Sequence, residues 1–293
     1  MASKPRTNLS PKELAEAIGV SESSIKRWVD DGLLVAERTA GGHRRIPIAE
    51  AARFIRDQQH ELKRPELLGF EHALPWSEDP EALDELFHKA IESGQTDKAI
   101  GMVVGLYLQG HSPFRLCDHP IHAGYKKVRD GCPHPNEKCF VLHRSRDICR
   151  QVLGAMRSLM APPAQDALHA AGGDVGYNID CLPTHLAATA FAALGHRVTD
   201  LAEDVPVEIL LGTLKNHRPD LLWISASGGR KVKRKHLDRI LEKVSEANPD
   251  GRTQIVLLGD AFNERMARHT PHAIHVGSTS ELAAYAEGMK KVH

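Results

Sequence analysis

The sequence has no run approaching the roughly 18 consecutive apolar residues that a membrane-spanning helix requires. Its opening MASKPRTNLS lacks the apolar centre of a secretory signal, so a cytoplasmic protein with no membrane partner is expected. It has no excess of either charge. Thirty-eight Lys and Arg balance 38 Asp and Glu, which excludes a chain that coats nucleic acid by bulk charge and requires any such binding to come from a local patch. Cysteine is sparse, five residues of 293, odd in number and irregularly spaced, so reduced thiols are expected rather than a disulfide framework. There is no P-loop, no G-x-S-x-G and no H-E-x-x-H, and nothing in the residues themselves points to an enzyme. What is present is enough apolar residue (41%) to bury ordinary cores, and 18 histidines.

Residues 1–62 read as a small helical domain with a wing. Ser10, Pro11 and Glu13 make a complete helix start signal, an N-cap, a Pro at the first turn and an S-x-x-E box. Leu14, Ala17 and Ile18 recur at helical spacing until Gly19, and a second helix follows with Ile25, Trp28 and Val29 facing inward. Two helices joined by such a turn make a helix-turn-helix. On its outer side the second helix carries Ser23, Ser24, Lys26 and Arg27, donors suited to phosphates and base edges. A hairpin tipped by Gly41 and Gly42 then brings Arg38, Thr39, His43, Arg44 and Arg45 into a basic wing, with the arginines suited to phosphate contact. Residues 1–66 hold 12 Lys and Arg against 10 Asp and Glu, so the positive character is confined to those two elements.

Residues 63–79 are charged, interrupted by Pro65 and Pro75, and read as a linker. Residues 80–162 carry four amphipathic runs, Leu83 to Ile91, Ala99 to Leu108, Phe114 to Val128 and Phe140 to Met160, a pattern that predicts a four-helix bundle. Residues 163–293 alternate strand and helix. Strands are expected at Asp174 to Ile179, His196 to Leu201, Leu221 to Ser225, Gln254 to Leu258 and Ala273 to His275. This alternation predicts a flavodoxin-like, doubly wound parallel sheet. No internal repeat is present.

LSPKELAEAIGVSESSIKRWVDDGLL followed by RTAGGHRRIPIAEAARFI resembles the winged helix-turn-helix of the MerR family of bacterial transcription regulators. The resemblance implies a homodimer, or a higher homo-oligomer, that reads a symmetric double-stranded DNA operator. The rest of the chain is similar to the light-sensing, cobalamin-dependent CarH and LitR branch of that family. KAIESGQTDKAIGMVVGLYLQGHSPFRLCDHPIHAGYKKV resembles its cobalamin-capping bundle, and GHRVTDLAEDVP with LLWISAS and VLLGD resembles its cobalamin-binding domain. That branch has a D-x-H-x-x-G loop whose His ligates cobalt. Counting back from Gly195 places Asp180 at the His, Asn178 at the Asp and Pro183 at the Gly. Ser225 and Gly259 match the later Ser and Gly positions, and Ser227 falls beside them. In the bundle's W-x9-E-H signature Cys132 takes the Trp place, Leu142 the Glu place, and His143 is retained. With the ligand His and the capping Trp both replaced, adenosylcobalamin in the usual His-on mode is not expected.

Other ligands follow from the residues. His111, His119, His122, His134 and His143 lie among Cys117, Cys132, Cys139 and Cys149, and Cys139 with His143 would share a helical face, an arrangement suited to a metal or redox site. Haem is a second alternative, implied by the resemblance because some cobalamin-like domains without the D-x-H-x-x-G loop are haem sensors, with His185 and His196 near the equivalent crevice. A cobalamin-dependent enzyme component is a third, though it would not need a DNA-reading head. Arg230, Lys231, Lys233, Arg234 and Lys235 follow a Gly-rich turn at a helix start and would suit a small anion or an acidic protein effector.

Overall fold

The structure is a computed structural model that describes residues 7–69, 79–132, 139–176, 181–227 and 233–290, without the side chains of 287–290. Contacts divide the chain into two units, Met1–Gly131 with Asp147–Ala161, and Cys132–Arg146 with Pro162–His293. Among the described residues no helix is long and apolar enough to cross a membrane.

The first unit opens with β1 (Asn8–Leu9), α1 (Pro11–Ile18), α2 (Glu22–Asp30), β2 (Glu37–Arg38), β3 (Arg44–Pro47) and α3 (Ile48–Asp57). The expected capping box forms. Ser10 Oγ accepts from the Glu13 amide at 3.2 Å, and the Glu13 carboxylate accepts from the Ser10 amide at 2.8 Å. Gly19 ends α1 at a φ of 73°, a left-handed position where a Cβ would add strain. β3 lies between β1 and β2, antiparallel to both, with Leu9 opposite Ile46 and Arg38 opposite Arg44. Leu9, Leu14, Ile25, Leu34, Ile46, Phe54 and Ile55 close the core. The start of the expected linker is not free chain: Lys63 and Arg64 donate their amides to the Ala17 carbonyl, and Leu68 is buried in a short turn, Pro65–Leu68.

Next come α4 (Pro80–Glu92), α5 (Thr96–Leu108), α6 (Pro113–Leu116), α7 (Ala123–Gly131) and α8 (Phe140–Arg157). α5 is the most enclosed, buried at nearly every position from Ala99 to Leu108. Gly124 lets α7 approach α4, because a Cβ there would meet Phe87 at 2.9 Å. The single helix expected from Phe114 to Val128 is broken. Pro120 cannot donate a backbone N–H, and the residue before it, His119, is extended at φ −140° and ψ 121°.

The second unit holds β4 (His169–Asp174), α9 (Leu182–Ala193), β5 (Arg197–Asp200), α10 (Val207–His217), β6 (Leu221–Ser225), α11 (Arg234–Ala247), β7 (Gln254–Leu258), α12 (Glu264–Arg268), β8 (Ala273–Val276) and α13 (Thr279–Lys290). All pairings are parallel and the strand order is β5-β4-β6-β7-β8, the flavodoxin-like order with its switch point between β4 and β6. Side chains of β6 alternate. Leu222 and Ile224 join the core that includes Leu237, Ile240 and Val244 of α11, while Trp223 points to α9 and donates Nε1–H to Thr184 Oγ1 at 2.8 Å.

The first strand is displaced from the expected Asp174 to Ile179 and occupies His169–Asp174. Its sequence, HAAGGD, lacks the β-branched signature of a strand for a packing reason. A Cβ at Gly172 would meet the Trp223 ring at 2.4 Å, and one at Gly173 would meet Val205 at 2.4 Å. Large neighbours on both faces require small residues here.

Candidate functional site

The N-terminal head offers one cationic surface. Ser21 caps α2, its Oγ accepting from the Ser24 amide at 3.1 Å, and the hydroxyls of Ser23 and Ser24 lie 2.7 and 2.9 Å from it. Ile25 faces the core, and Trp28 packs at 5.1 Å from Phe54 and 5.3 Å from His60, so α2 is held from below while Lys26 and Arg27 stay exposed. Burial in that aromatic cluster lowers the His60 imidazole below its ordinary value. Lys26 pairs with Glu22 at 2.8 Å. At the wing tip Gly42 has a φ of 77°, Thr39 Oγ1 accepts from the His43 amide at 3.2 Å, and Thr39 and His43 face outward.

The wing arginines divide into two kinds, a division the sequence does not mark. Arg38 and Arg45 are exposed and, like Arg27, their guanidinium groups have no ion-pair partner among the described residues. Arg44, placed with them by sequence as a phosphate contact, turns inward instead. It donates to the Asp30 carboxylate and, at 3.3 Å, to the Lys26 carbonyl, with its side chain 20% exposed. Cross-strand alternation explains this: adjacent residues of β3 project to opposite faces, and Arg44 falls on the α2 side.

At the carboxyl edge of the sheet Gly259 lies against Ser227, and Ser225 meets a residue that the sequence does not single out. Asp174, at the end of β4, is buried, accepts from Ser225 Oγ at 2.8 Å and from the Gly176 amide at 2.8 Å. Gly259 at φ 94° passes so close to β6 that a Cβ would meet the Ala226 carbonyl at 2.2 Å. Asp174 and Ser225 thus join the ends of β4 and β6 at the switch point. Asp180, assigned to the ligand place, lies outside the described residues.

A second cluster sits nearby in the same unit. Cys181 caps the start of α9 and is fully buried, His185 follows one turn later at 5% exposure, and Glu203 comes from the loop after β5. Burial and the neighbouring Glu203 carboxylate push the Cys181 thiol well above its ordinary value. The four-residue spacing of Cys181 and His185 was the available signal, but their partner is distant in sequence. His196, the other haem candidate, is buried and stacked on Phe191 at 5.7 Å.

The bundle candidates are arranged differently from the expectation of reduced thiols. Cys132 and Cys139 are joined as a disulfide, which removes Cys139 as a thiolate partner for His143. The irregular spacing of the five cysteines does not mark this pair, which is seven residues apart. Cys117 is a buried core residue whose thiol is likewise pushed up by burial. In the basic run, Lys233, Arg234 and Lys235 are exposed at the start of α11 and Arg234 lies 3.8 Å from Asp238, while Arg230 and Lys231 lie outside the described residues.

Residues 10–46 match the MerR family of regulatory proteins. No curated protein matches the chain. Among solved structures it is similar to the monomethylamine corrinoid protein of Methanosarcina barkeri, at 13% identity and a TM-score of 0.57, covering 71% of this chain and 98% of that one. Similarity extends at TM-scores of 0.37 and 0.35 to a methanol:cobalamin methyltransferase complex of Methanosarcina barkeri (16% identity, 77% and 88% covered) and to a cobalamin-binding protein of Desulfitobacterium hafniense DCB-2 (15%, 71% and 97%). Residues 10–46 are thus a MerR-family regulatory domain, carried on a chain that over most of its length shares the fold of a corrinoid protein.

Proposed function

We propose that this protein is a sequence-specific DNA-binding transcription regulator, with the reader head at residues 1–62 and a sensor module of corrinoid-protein fold behind it. The observation that carries the reading is the outward set of Arg27, Arg38 and Arg45 on a capped second helix and its wing, within the segment that matches MerR regulatory proteins. Such a head uses the helix for base edges in the major groove and the wing for phosphates. Two copies would read a symmetric site.

The corrinoid-protein fold raises cobalamin as the sensor's ligand, and the residues do not fit its His-on form. The sequence from Asp174 to Leu182 contains no histidine, so the loop between β4 and α9 cannot supply an imidazole in any register. At the edge where such a sheet takes ligands the buried Asp174 carboxylate accepts from Ser225 Oγ, and the buried Trp223 lies beneath α9. The reading is therefore regulatory rather than enzymatic, with an effector other than His-ligated adenosylcobalamin.

Selection of bound duplexes from a random library by the full-length protein, followed by mobility shifts, tests the proposal. A recurrent symmetric sequence is expected, and the Arg27→Ala/Arg38→Ala/Arg45→Ala variant should lose it. Enrichment of no sequence, or undiminished binding by the variant, would refute the reading.

A further inference from the structure

We propose that Cys181, His185 and Glu203 form a site for one divalent cation of the zinc class, held by the cysteine sulfur, the His185 Nε2 and a Glu203 carboxylate oxygen. The candidate ligand atoms all lie within 4.8 Å of one another. His185 Nδ1 is 3.2 Å from Asp200 Oδ2, and since a carboxylate can only accept, the ring proton is on Nδ1. With that proton on Nδ1, the neutral ring offers Nε2 as a metal-binding lone pair; Nε2 is buried with no hydrogen-bond partner and lies 3.9 Å from Glu203 Oε1. A buried imidazole nitrogen, a buried sulfur and a solvent-reached carboxylate oxygen thus face one point that a cation would fill.

The donor set selects the ion. A mixed set of sulfur, imidazole nitrogen and carboxylate oxygen suits Zn2+ and its Co2+ substitute, whereas Mg2+ and Ca2+ take oxygen alone. Tetrahedral bonds of about 2.0–2.3 Å put neighbouring ligand atoms roughly 3.3–3.6 Å apart, so the side chains need close by only about 1 Å. Asp200 supplies the carboxylate that a metal-bound histidine uses to fix its ring. Glu203 Oε2 is 3.5 Å from Arg146, which leaves Oε1 for the ion. Its side chain is 36% exposed and gives an entry path to the otherwise buried site. Ala202 and Asp204 on either side have φ values of 65° and 51°, and the Asp174 amide and carbonyl bond to Ala202 and Val205, so this loop is pinned to the end of β4. On binding, the sulfur–metal bond forms as the thiol proton leaves to solvent, and the two positive charges offset the thiolate and the Glu203 carboxylate.

The test uses the full-length protein, stripped with a chelator and titrated with Co2+ and then Zn2+. One equivalent of metal per chain should survive gel filtration, Co2+ should show a thiolate-to-cobalt charge-transfer band, and the melting temperature should rise. Cys181→Ser should abolish the band. Glu203→Gln, at the exposed rim, should weaken binding about tenfold or more, with the melting of the metal-free variant read alongside. Asp200→Asn, a positioning change, should weaken it about tenfold to a hundredfold while the band persists. Cys132→Ser/Cys139→Ser should bind as the unaltered protein does. The proposal fails if no stoichiometric metal is retained, if the band survives Cys181→Ser, or if it is lost with the Cys132 and Cys139 pair.

Discussion

Arg44 and Arg45 are neighbours on β3, and the structure gives their removal different consequences. Arg45 projects outward without an ion-pair partner among the described residues. If it contacts one phosphate, Arg45→Ala should lower the slope of log affinity against log salt by about 0.9. Over a fourfold salt change that slope amounts to a factor of roughly 3.5 in affinity, with folding stability unchanged. Arg44 instead ties the wing to α2 through Asp30, whose side chain is 62% exposed, so the pair should couple by about 0.2–1 kcal/mol, the range of solvent-screened ion pairs. Arg44→Ala should therefore cost stability, and its effect on DNA should come through wing orientation with little change in salt slope. Fluorescence anisotropy with a labelled duplex at five salt concentrations measures the slopes, and urea denaturation of Arg44→Ala, Asp30→Ala and the double variant measures the coupling. The reasoning is refuted if Arg45→Ala leaves the slope unchanged, or if Arg44→Ala is as destabilising without Asp30 as with it.

Trp223→Ala should destabilise by about 3–5 kcal/mol, as for large buried side chains, and Trp223→Phe by about 1–3 kcal/mol because the Thr184 hydroxyl loses its donor. Adding Thr184→Val to Trp223→Phe should recover part of the loss in denaturant midpoint, and a neutral Trp223→Phe would show that the indole bond contributes nothing. His60 is held below its ordinary value by burial, so as pH falls through about 6.5 the unfolded chain gains a proton that the folded chain does not. Stability should thus be present at pH 7.5 and decline toward pH 5.5, and His60→Phe should reduce that decline. Some pH dependence should remain, because burial also lowers His111 and His169; an identical profile for wild type and variant would overturn the assignment. Adenosylcobalamin should neither co-elute stoichiometrically on gel filtration nor make DNA release light-dependent, and either observation would contradict the misfit argued from the loop after β4.

How much was legible depended on whether the signal was local. The start of α1 could be read residue by residue because Ser10 and Glu13 satisfy each other within a single turn and Pro11, lacking an N–H, leaves none to satisfy. Strands β6 and β7, LLWIS and QIVLL, carry the apolar run of buried parallel strands and fall where expected. β4 does not, because HAAGGD is composed for what lies against it, Trp223 on one side and Val205 on the other, and those neighbours are about 30 to 50 residues away in sequence. The break in the third bundle segment was written in the sequence as His119-Pro120, but helical periodicity on either side concealed it.

The candidate sites follow the same division. Ser23, Ser24 and Arg27 were legible as an outward face because Ile25 and Trp28 set the phase of a single helix. Arg44 and Arg45 were not separable, since only the pairing of β3 with β2 and its position over α2 decides which of two adjacent arginines turns to Asp30. The Cys181 and His185 pair shows its spacing on one helix, yet two groups one turn apart are commonplace. What turns them into a possible metal site is the β4–α9–β5 crossover, which brings Asp200 and Glu203 back along the sheet edge to the start of α9. The grouping is a property of that topology: among the described residues it is there that a buried imidazole nitrogen, a carboxylate and a thiol come within 4.8 Å of one another.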